Sequence, residues 1–245
     1  MQDILRDGYA IAADVVTRPN ISGLLDALES ASATDAGGKP GGMHALRNIL
    51  QLPAIRSLAH SPELRRLVEP ILGPGSQPVR AIFFDKTPDA NWKVTWHQDI
   101  SIAAKCRMDV EGFGPWSVKA GVPHVQPPAS VLANMLTLRL HLDDCNEDNG
   151  PLRVIPGSHA AGILSSDMIA DFRRRVSAVS CICRAGDVML MRPLLLHASS
   201  VATSPRHRRV VHIEYAVGDL PAVLEWHEWT PSSTLTGNIH QRGMS

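Results

Sequence analysis

The sequence predicts a mainly β domain with helices packed on one face of its sheet. Three observations point there. Apolar residues recur at helical spacing before residue 72, strand-like runs broken by turns follow from Val79, and Thr137–Asp143 alternates apolar and polar residues strictly. One domain spanning 1–245 suits this length, because β-sandwiches and barrels often reach it as a single unit. Within it, 1–75 is expected to be mainly helical and 79–217 to form the β-core. Residues 103–130 are expected to be a long loop and 218–245 a C-terminal extension.

Taken in order, Ile21, Leu24, Leu25 and Leu28 share one helical face, which predicts a helix over 21–31. Gly37-Gly38-Lys39-Pro40-Gly41-Gly42 reads as a flexible connection. Ser61-Pro62-Glu63 opens the next helix with an N-cap residue and a proline at the first helical position. Leu64, Leu67 and Val68 form its stripe, and Pro70 is expected to end or kink it. Gly73-Pro74-Gly75 closes the helical part. Val79–Phe84, Thr137–Asp143, Asp187–Leu190 and Arg208–Tyr215 read as strands. Residues 103–130 hold several glycines and prolines with little periodicity, and loops this long are usually functional or disordered. On Thr137–Asp143, Leu138, Leu140 and Leu142 face one way, while Thr137, Arg139, His141 and Asp143 face the other. The leucines suit a core; the polar face must meet solvent or line a wet cleft.

The bulk numbers exclude several classes. Lys and Arg number 24 against 24 Asp and Glu, for a formal net charge of +0. No basic excess points to nucleic acid or to an anionic membrane. A small-molecule partner is expected, with the protein a monomer or homodimer. The opening residues carry charges where a signal peptide needs an apolar stretch, and no run reaches transmembrane length. A cytoplasmic location is expected. Cys106, Cys145, Cys181 and Cys183 fit neither a zinc-knuckle spacing nor a disulfide scaffold, and are read as reduced thiols.

The chemistry lies in His97-Gln98-Asp99, answered by His197 and then Arg208. On an extended backbone His97 and Asp99 project to the same side, so both can bind one ion. His197 ends the apolar run Pro193–Leu196 and is placed to complete the set. Two imidazoles and one carboxylate form the three-ligand face typical of non-haem Fe(II), leaving three coordination positions open. Arg208 supplies an always-charged fork for a carboxylate. Any one of these residues has a plainer reading, as a satisfied core histidine or a member of the basic run Arg206-His207-Arg208-Arg209. The ordered set is the signal, and it reads as an iron site with an acidic co-substrate.

Trp96-His97-Gln98-Asp99, then Asn149-Gly150-Pro151-Leu152-Arg153-Val154-Ile155-Pro156-Gly157-Ser158-His159, then His197-Ala198-Ser199 and Arg208 resemble the phytanoyl-CoA dioxygenase family, as does the opening Arg6-Asp7-Gly8-Tyr9. The resemblance covers roughly residues 4–217. It implies a double-stranded β-helix, a cupin-like jelly roll, with the N-terminal helices packed on one sheet. It implies His97, Asp99 and His197 as catalytic iron ligands, and Fe(II), 2-oxoglutarate and O₂ as cofactor and co-substrates. Arg208, helped by the Ser199 hydroxyl, would clamp the distal carboxylate of 2-oxoglutarate; Gln98, Lys86 and Ile82 would line that pocket. The implied reaction hydroxylates an unactivated C–H of a small metabolite or natural-product intermediate, releasing succinate and CO₂. Related halogenases carry a small residue where Asp99 stands, so Asp99 favours hydroxylation, with desaturation or ring chemistry left open.

The segment Asn149–His159 is read as turns that fix the β-core, with His159 a turn residue and not a fourth ligand. Residues 103–130 become the candidate active-site loop, with Trp116, Lys119, His124 and Gln126 able to close over the cleft. Arg139, where relatives often carry an aromatic residue, is a candidate for a substrate acid group, with His141 and Arg192 as further substrate candidates. The chain ends without Ser-Lys-Leu, so an acyl-CoA substrate is not implied. Two other classes share the three ligands: a cupin-like metal-dependent hydrolase or isomerase, and a catalytically silent metal-binding module. The first would not need Arg208 and Ser199, and the second would be signalled by loss of a ligand, whereas His97, Asp99 and His197 are all present.

Overall fold

The structure, a computed structural model, describes residues 2–34, 44–221 and 223–228. It opens with α1 (Gln2–Arg6), β1 (Tyr9–Ala12), α2 (Arg18–Thr34), β2 (His44–Arg47), α3 (Pro53–Ala59) and α4 (Pro62–Leu72). Next come β3 (Ser76–Lys86), β4 (Val94–His97), β5 (Ile102–Ala103), β6 (Trp116–Lys119), β7 (Val122–Val125) and α5 (Ala129–Ala133). The chain continues through β8 (Met135–His141), β9 (Leu152–Val154), α6 (Ser166–Arg175), β10 (Val179–Cys181), β11 (Val188–Met191), β12 (His197–Ser199) and β13 (Arg208–Val217).

Two antiparallel sheets form the double-stranded β-helix that the sequence predicts. The larger has strand order β1-β11-β8-β13-β3-β2, and the smaller β10-β9-β12-β4. Leu152, Val154 and Cys181 of the smaller sheet pack with Met189 and Met191 of the larger, closing the apolar end of the roll. Cys183 joins them, and burial pushes the Cys181 and Cys183 thiols up to about 12. All four cysteines are free.

The alternation of β8 resolves cleanly. Leu136, Leu138, Leu140 and Leu142 lie in one buried cluster with Leu24 and Leu28 of α2, Ile55 of α3 and Leu64 and Val68 of α4. Each such side chain contributes roughly 1.5–3 kcal/mol on burial, so this face alone holds the helices on the sheet. Ser61 caps α4 as expected, its hydroxyl accepting from the Leu64 N–H at 3.4 Å with proline at the first turn. Pro70 does not end that helix, which runs on to Leu72. The Gly37–Gly42 segment lies outside the described residues.

The N-terminal part is mainly helical, with two short strands among its helices: β1 and β2 form the two edges of the larger sheet, pairing with β11 and β3. Each is four residues long, too short for alternation to show, and each exists because a neighbouring strand offers it an open edge. Residues 103–130 are not an irregular loop: β5, β7 and β6 make a three-stranded antiparallel sheet, with Gly121 at φ +77° in its tight turn. Cross-strand pairing here does not need the local periodicity that the sequence lacks.

Gly186 shows how tightly the edge is built. At φ +99° it occupies backbone space that disfavours side chains, and a Cβ would meet the Val16 carbonyl oxygen at 2.4 Å. That carbonyl belongs to the segment whose Val15 and Val16 N–H groups both donate to the Gly186 carbonyl, so it cannot retreat freely. Gly186→Ala is expected to cost about 2–4 kcal/mol. Thermal unfolding should show a midpoint lowered by several degrees; an unchanged midpoint would show that this edge yields.

Candidate active site

His97 ends β4 and His197 begins β12, and the two are directly paired across the smaller sheet. Their rings lie 4.2 Å apart. Asp99 follows β4, its N–H donating to the Pro193 carbonyl at 2.9 Å. Its carboxylate oxygens stand 3.8 Å from His97 Nε2 and 3.7 Å from His197 Nε2. One ligand atom from each residue lies within 4.8 Å of the others, the only such metal-ligand group among the described residues.

The imidazoles are oriented for a metal. His97 Nδ1 donates to the Thr95 carbonyl at 2.8 Å, and His197 Nδ1 to the Leu195 carbonyl at 2.9 Å. A carbonyl only accepts, so the proton sits on Nδ1 and the Nε2 lone pair is free, the outer hydrogen bond that ligating histidines normally make. Burial holds His197 down at about 4, despite Asp99. Burial alone would raise Asp99, but His197, His212, His97 and Arg139 override it and keep the carboxyl at about 2. Both ligands therefore stand deprotonated at neutral pH, the form a metal requires.

Beside the triad lies the inner face of the larger sheet. Register places Arg208, His212 and Glu214 of β13 between Lys86, Ile82 and Arg80 of β3 and His141, Arg139 and Thr137 of β8. Thr137, Arg139 and His141 of the predicted polar face thus line an interior cleft, whereas Asp143, beyond the end of β8, is half-buried and pairs with Arg209 at 2.8 Å. Lys86 is 2% exposed and donates to the Ser200 carbonyl at 2.6 Å; burial and the neighbouring Arg208 bring it down to about 8. Arg208 donates Nη1 to the Gly150 carbonyl and leaves Nε without a partner. Arg139 also has an unpartnered Nε, and burial, with Arg208 beside it, lowers it to about 10. His141 is buried with Nδ1 unpartnered and falls to about 3, from burial first and then Arg139 and Arg208. Among the described residues, none of these three cations has a carboxylate within ion-pair distance, an arrangement that is costly unless an anion enters.

Arg139 is fixed by a relay that the sequence did not reveal. Its Nη1 donates to His212 Nδ1 at 2.9 Å. A guanidinium only donates, so His212 carries its proton on Nε2 and gives it to Glu214 Oε1 at 3.3 Å, which also accepts from Arg80 Nη1 at 3.0 Å. The period-2 pattern of β13 was the available signal for His212 and Glu214. Nothing local pointed to Arg80, one charge inside an apolar run.

Other candidates are sorted by the same geometry. Ser199 is buried two residues after His197, and Ile82 lies on the inner face. Gln98 is spent on the scaffold: its amide donates to the Gly162 and Leu194 carbonyls and its oxygen accepts from Leu164 N–H. Those three bonds leave it little capacity for a ligand. Arg192 donates to the Ala133 and Met135 carbonyls, at the end of α5 and the start of β8. Trp116 packs in a separate apolar cluster with Ile102, Val125 and Trp226. His159 sits against Gly8 in a short 3-10 turn and is no metal ligand. Asn149 ties the turn before Gly150 to the 206–207 backbone, accepting from Arg206 N–H and donating to the His207 carbonyl. Trp229 lies outside the described residues.

Comparison with known proteins agrees with this architecture. Residues 4–210 match the family model for phytanoyl-CoA dioxygenase (PhyH). A phytanoyl-CoA dioxygenase domain-containing protein 1 homolog of Dictyostelium discoideum is 27% identical over 106 residues, a stretch that is 37% of this chain and only 38% of that protein. The non-heme alpha ketoglutarate dependent carbocyclase SnoK from nogalamycin biosynthesis superposes with a TM-score of 0.69 at 18% identity, over 93% of this chain and 85% of that one. EctD from S. alaskensis, solved with 2-oxoglutarate and 5-hydroxyectoine, gives 0.68 at 20% identity, over 88% and 74%. HygX from Streptomyces hygroscopicus, with nickel and 2-oxoglutarate bound, gives 0.63 at 15%, over 87% and 84%. Identities this low speak to the fold, and the family model speaks to descent: this chain belongs to the phytanoyl-CoA dioxygenase family.

Proposed function

We propose that the protein is an Fe(II)- and 2-oxoglutarate-dependent oxygenase that hydroxylates an unactivated C–H of a small metabolite or natural-product intermediate. One observation carries the reading. A triad with free Nε2 lone pairs stands beside three buried cations, Lys86, Arg139 and Arg208, that have no carboxylate within ion-pair distance among the described residues. The triad fits Fe(II) and leaves positions for a chelating co-substrate. The cations fit the two carboxylates of 2-oxoglutarate. Bound iron would activate O₂, the oxidant, with 2-oxoglutarate as the co-reductant that leaves as succinate and CO₂.

The chain's own residues bind, orient and exclude. His97, Asp99 and His197 would hold the iron, their geometry set by the Thr95 and Leu195 carbonyls. Arg208, with Ser199 and Lys86, would clamp the distal carboxylate, while Ile82 and His141 close the walls of that pocket. Arg139 is assigned to a carboxylate bound beside the metal, held in aim by the His212–Glu214–Arg80 relay. Burial of these groups keeps water from competing for their hydrogen bonds.

The test is succinate formation by the iron-loaded protein, which should require both 2-oxoglutarate and O₂ and stop on chelation of the metal. An iron-loaded protein that neither binds 2-oxoglutarate nor forms succinate would overturn the reading. Arg139→Met should keep its metal and weaken 2-oxoglutarate about tenfold, the loss of one charge-assisted hydrogen bond. Its thermal midpoint should hold or rise, because a buried unpaired charge has been removed. Unchanged 2-oxoglutarate affinity would take Arg139 off the co-substrate.

A further inference from the structure

The inner face of the larger sheet continues past the metal to a second set of cations. Arg47 of β2 is paired with Ile82 of β3, which places it diagonally beside Arg80 on the same face. Across from them stands the small sheet. Register puts Ser101, Lys119 and His124 on one face of that sheet, opposite to Trp116 and Val125. The Lys119 ammonium donates to Ser101 Oγ at 2.9 Å, and Ser101 is two residues beyond the ligand Asp99. A cavity of about 420 Å³ is lined by Arg47, Asn48 and Gln51, by the apolar Leu46 and Leu52, and by Ala120, which follows Lys119 in the turn from β6 to β7.

The charges here do not balance. Glu214 takes Arg80 at 3.0 Å. Arg47 and Lys119 have no carboxylate within ion-pair distance among the described residues. Arg47 is half-buried and Lys119 is exposed. Each is lowered first by burial and then by cationic neighbours, Arg80 for both and Arg47 for Lys119, against the opposing pull of Glu214 on both and of Asp99 on Lys119. His124 adds a second observation. It is 2% exposed, its Nδ1 donates to the Val122 carbonyl at 2.9 Å, and its Nε2 is buried without a partner. Burial lowers it first, and Arg80, Lys119 and Arg47 then disfavour its protonated form. An unpartnered acceptor near two cations without a carboxylate partner suits a ligand with both an anionic group and a donor.

We propose that the substrate, on the oxygenase reading above, is an anion whose carboxylate or phosphate is held by Arg47 and Lys119 and whose hydroxyl or amine donates to His124. Arg80 acts as a positioning residue, held by Glu214 and joined through it to the relay that aims Arg139. The anionic end would then lie in the outer cavity, and the rest of the molecule would extend toward Asp99.

The test is calorimetric titration of the anaerobic Fe(II)- and 2-oxoglutarate-loaded protein with phenyl phosphate and with phenylacetate, each set against neutral phenylacetamide. At least one anion should bind more tightly than the amide, and the two arms separate phosphate from carboxylate. Arg47→Gln and Lys119→Gln should each weaken that anion about tenfold or more. Their 2-oxoglutarate affinity should not change. Arg47→Glu should shift preference toward the cation phenethylamine, which loss of fold cannot imitate. Equal binding of anion and amide, anion affinity unmoved in both Gln variants, or an anion displaced by 2-oxoglutarate and lost in Arg208→Ala would each overturn the proposal. The same titrations without 2-oxoglutarate separate the two readings: an Arg47- and Lys119-dependent anion site persists there even if 2-oxoglutarate does not bind at all.

Discussion

Arg208→Ala is expected to abolish measurable co-substrate binding at ordinary concentrations. Arg208 is 8% exposed, with Nη1 committed to the Gly150 carbonyl and Nε unspent. A carboxylate that enters this pocket loses its water and must be matched there. Removing the buried partner of such a charge costs about 2–5 kcal/mol, or roughly 30- to several-thousand-fold in affinity. Arg208→Lys should not rescue it, because a point charge on a flexible stem cannot reproduce the planar fork. The measurement is an anaerobic titration with Fe(II) and then 2-oxoglutarate, watching the weak visible charge-transfer band of the chelate. A strong band in the wild type and none in the variant is the expected pair. An undiminished band in Arg208→Ala would move the clamp to Lys86 or Arg139.

His197→Ala is expected to empty the metal site and to abolish turnover. His197 is 4% exposed and its Nε2 lone pair has no destination in the protein other than the triad. Changing an outer-shell partner typically costs 10–100-fold in metal affinity, and losing a ligand outright should exceed that. Metal analysis after desalting should show near-stoichiometric iron in the wild type and almost none in the variant. Thermal midpoints should stay close, since the histidine contributes little apolar packing. An iron-replete His197→Ala would mean that the metal sits elsewhere. Leu195→Pro would be a poor substitute test, because it disturbs the apolar run as well as the carbonyl that sets the His197 tautomer.

Much of this site was legible along the chain. His97 and Asp99 share a side because extended residues two apart must, and the alternation of Thr137–Asp143 announced a polar face, though not whether it met solvent or lined a cleft. The family pattern joined His197, Ser199 and Arg208 to them. Gln98 shows the limit of such reading. Its position beside the ligands looked functional, yet its amide is consumed by the Gly162, Leu194 and Leu164 backbone, which only folding brings there. The same limit applies to Arg192 and Trp116: charge and aromaticity can be read from a sequence, but the face on which they land cannot.

By itself, then, the sequence determined the His97–Asp99 spacing, the helix-bearing leucine face and the turn chemistry, all of which depend on residues within a few positions of one another, and the family pattern supplied the order of the candidate ligands. Only the tertiary structure decided the partners. The edge strands β1 and β2, the small sheet in 103–130, the Arg139–His212–Glu214–Arg80 relay and the meeting of Arg47 with Lys119 and His124 join residues far apart in the chain. Cross-strand pairs are formed by register, and register is set by the whole hydrophobic pattern and not by either strand alone.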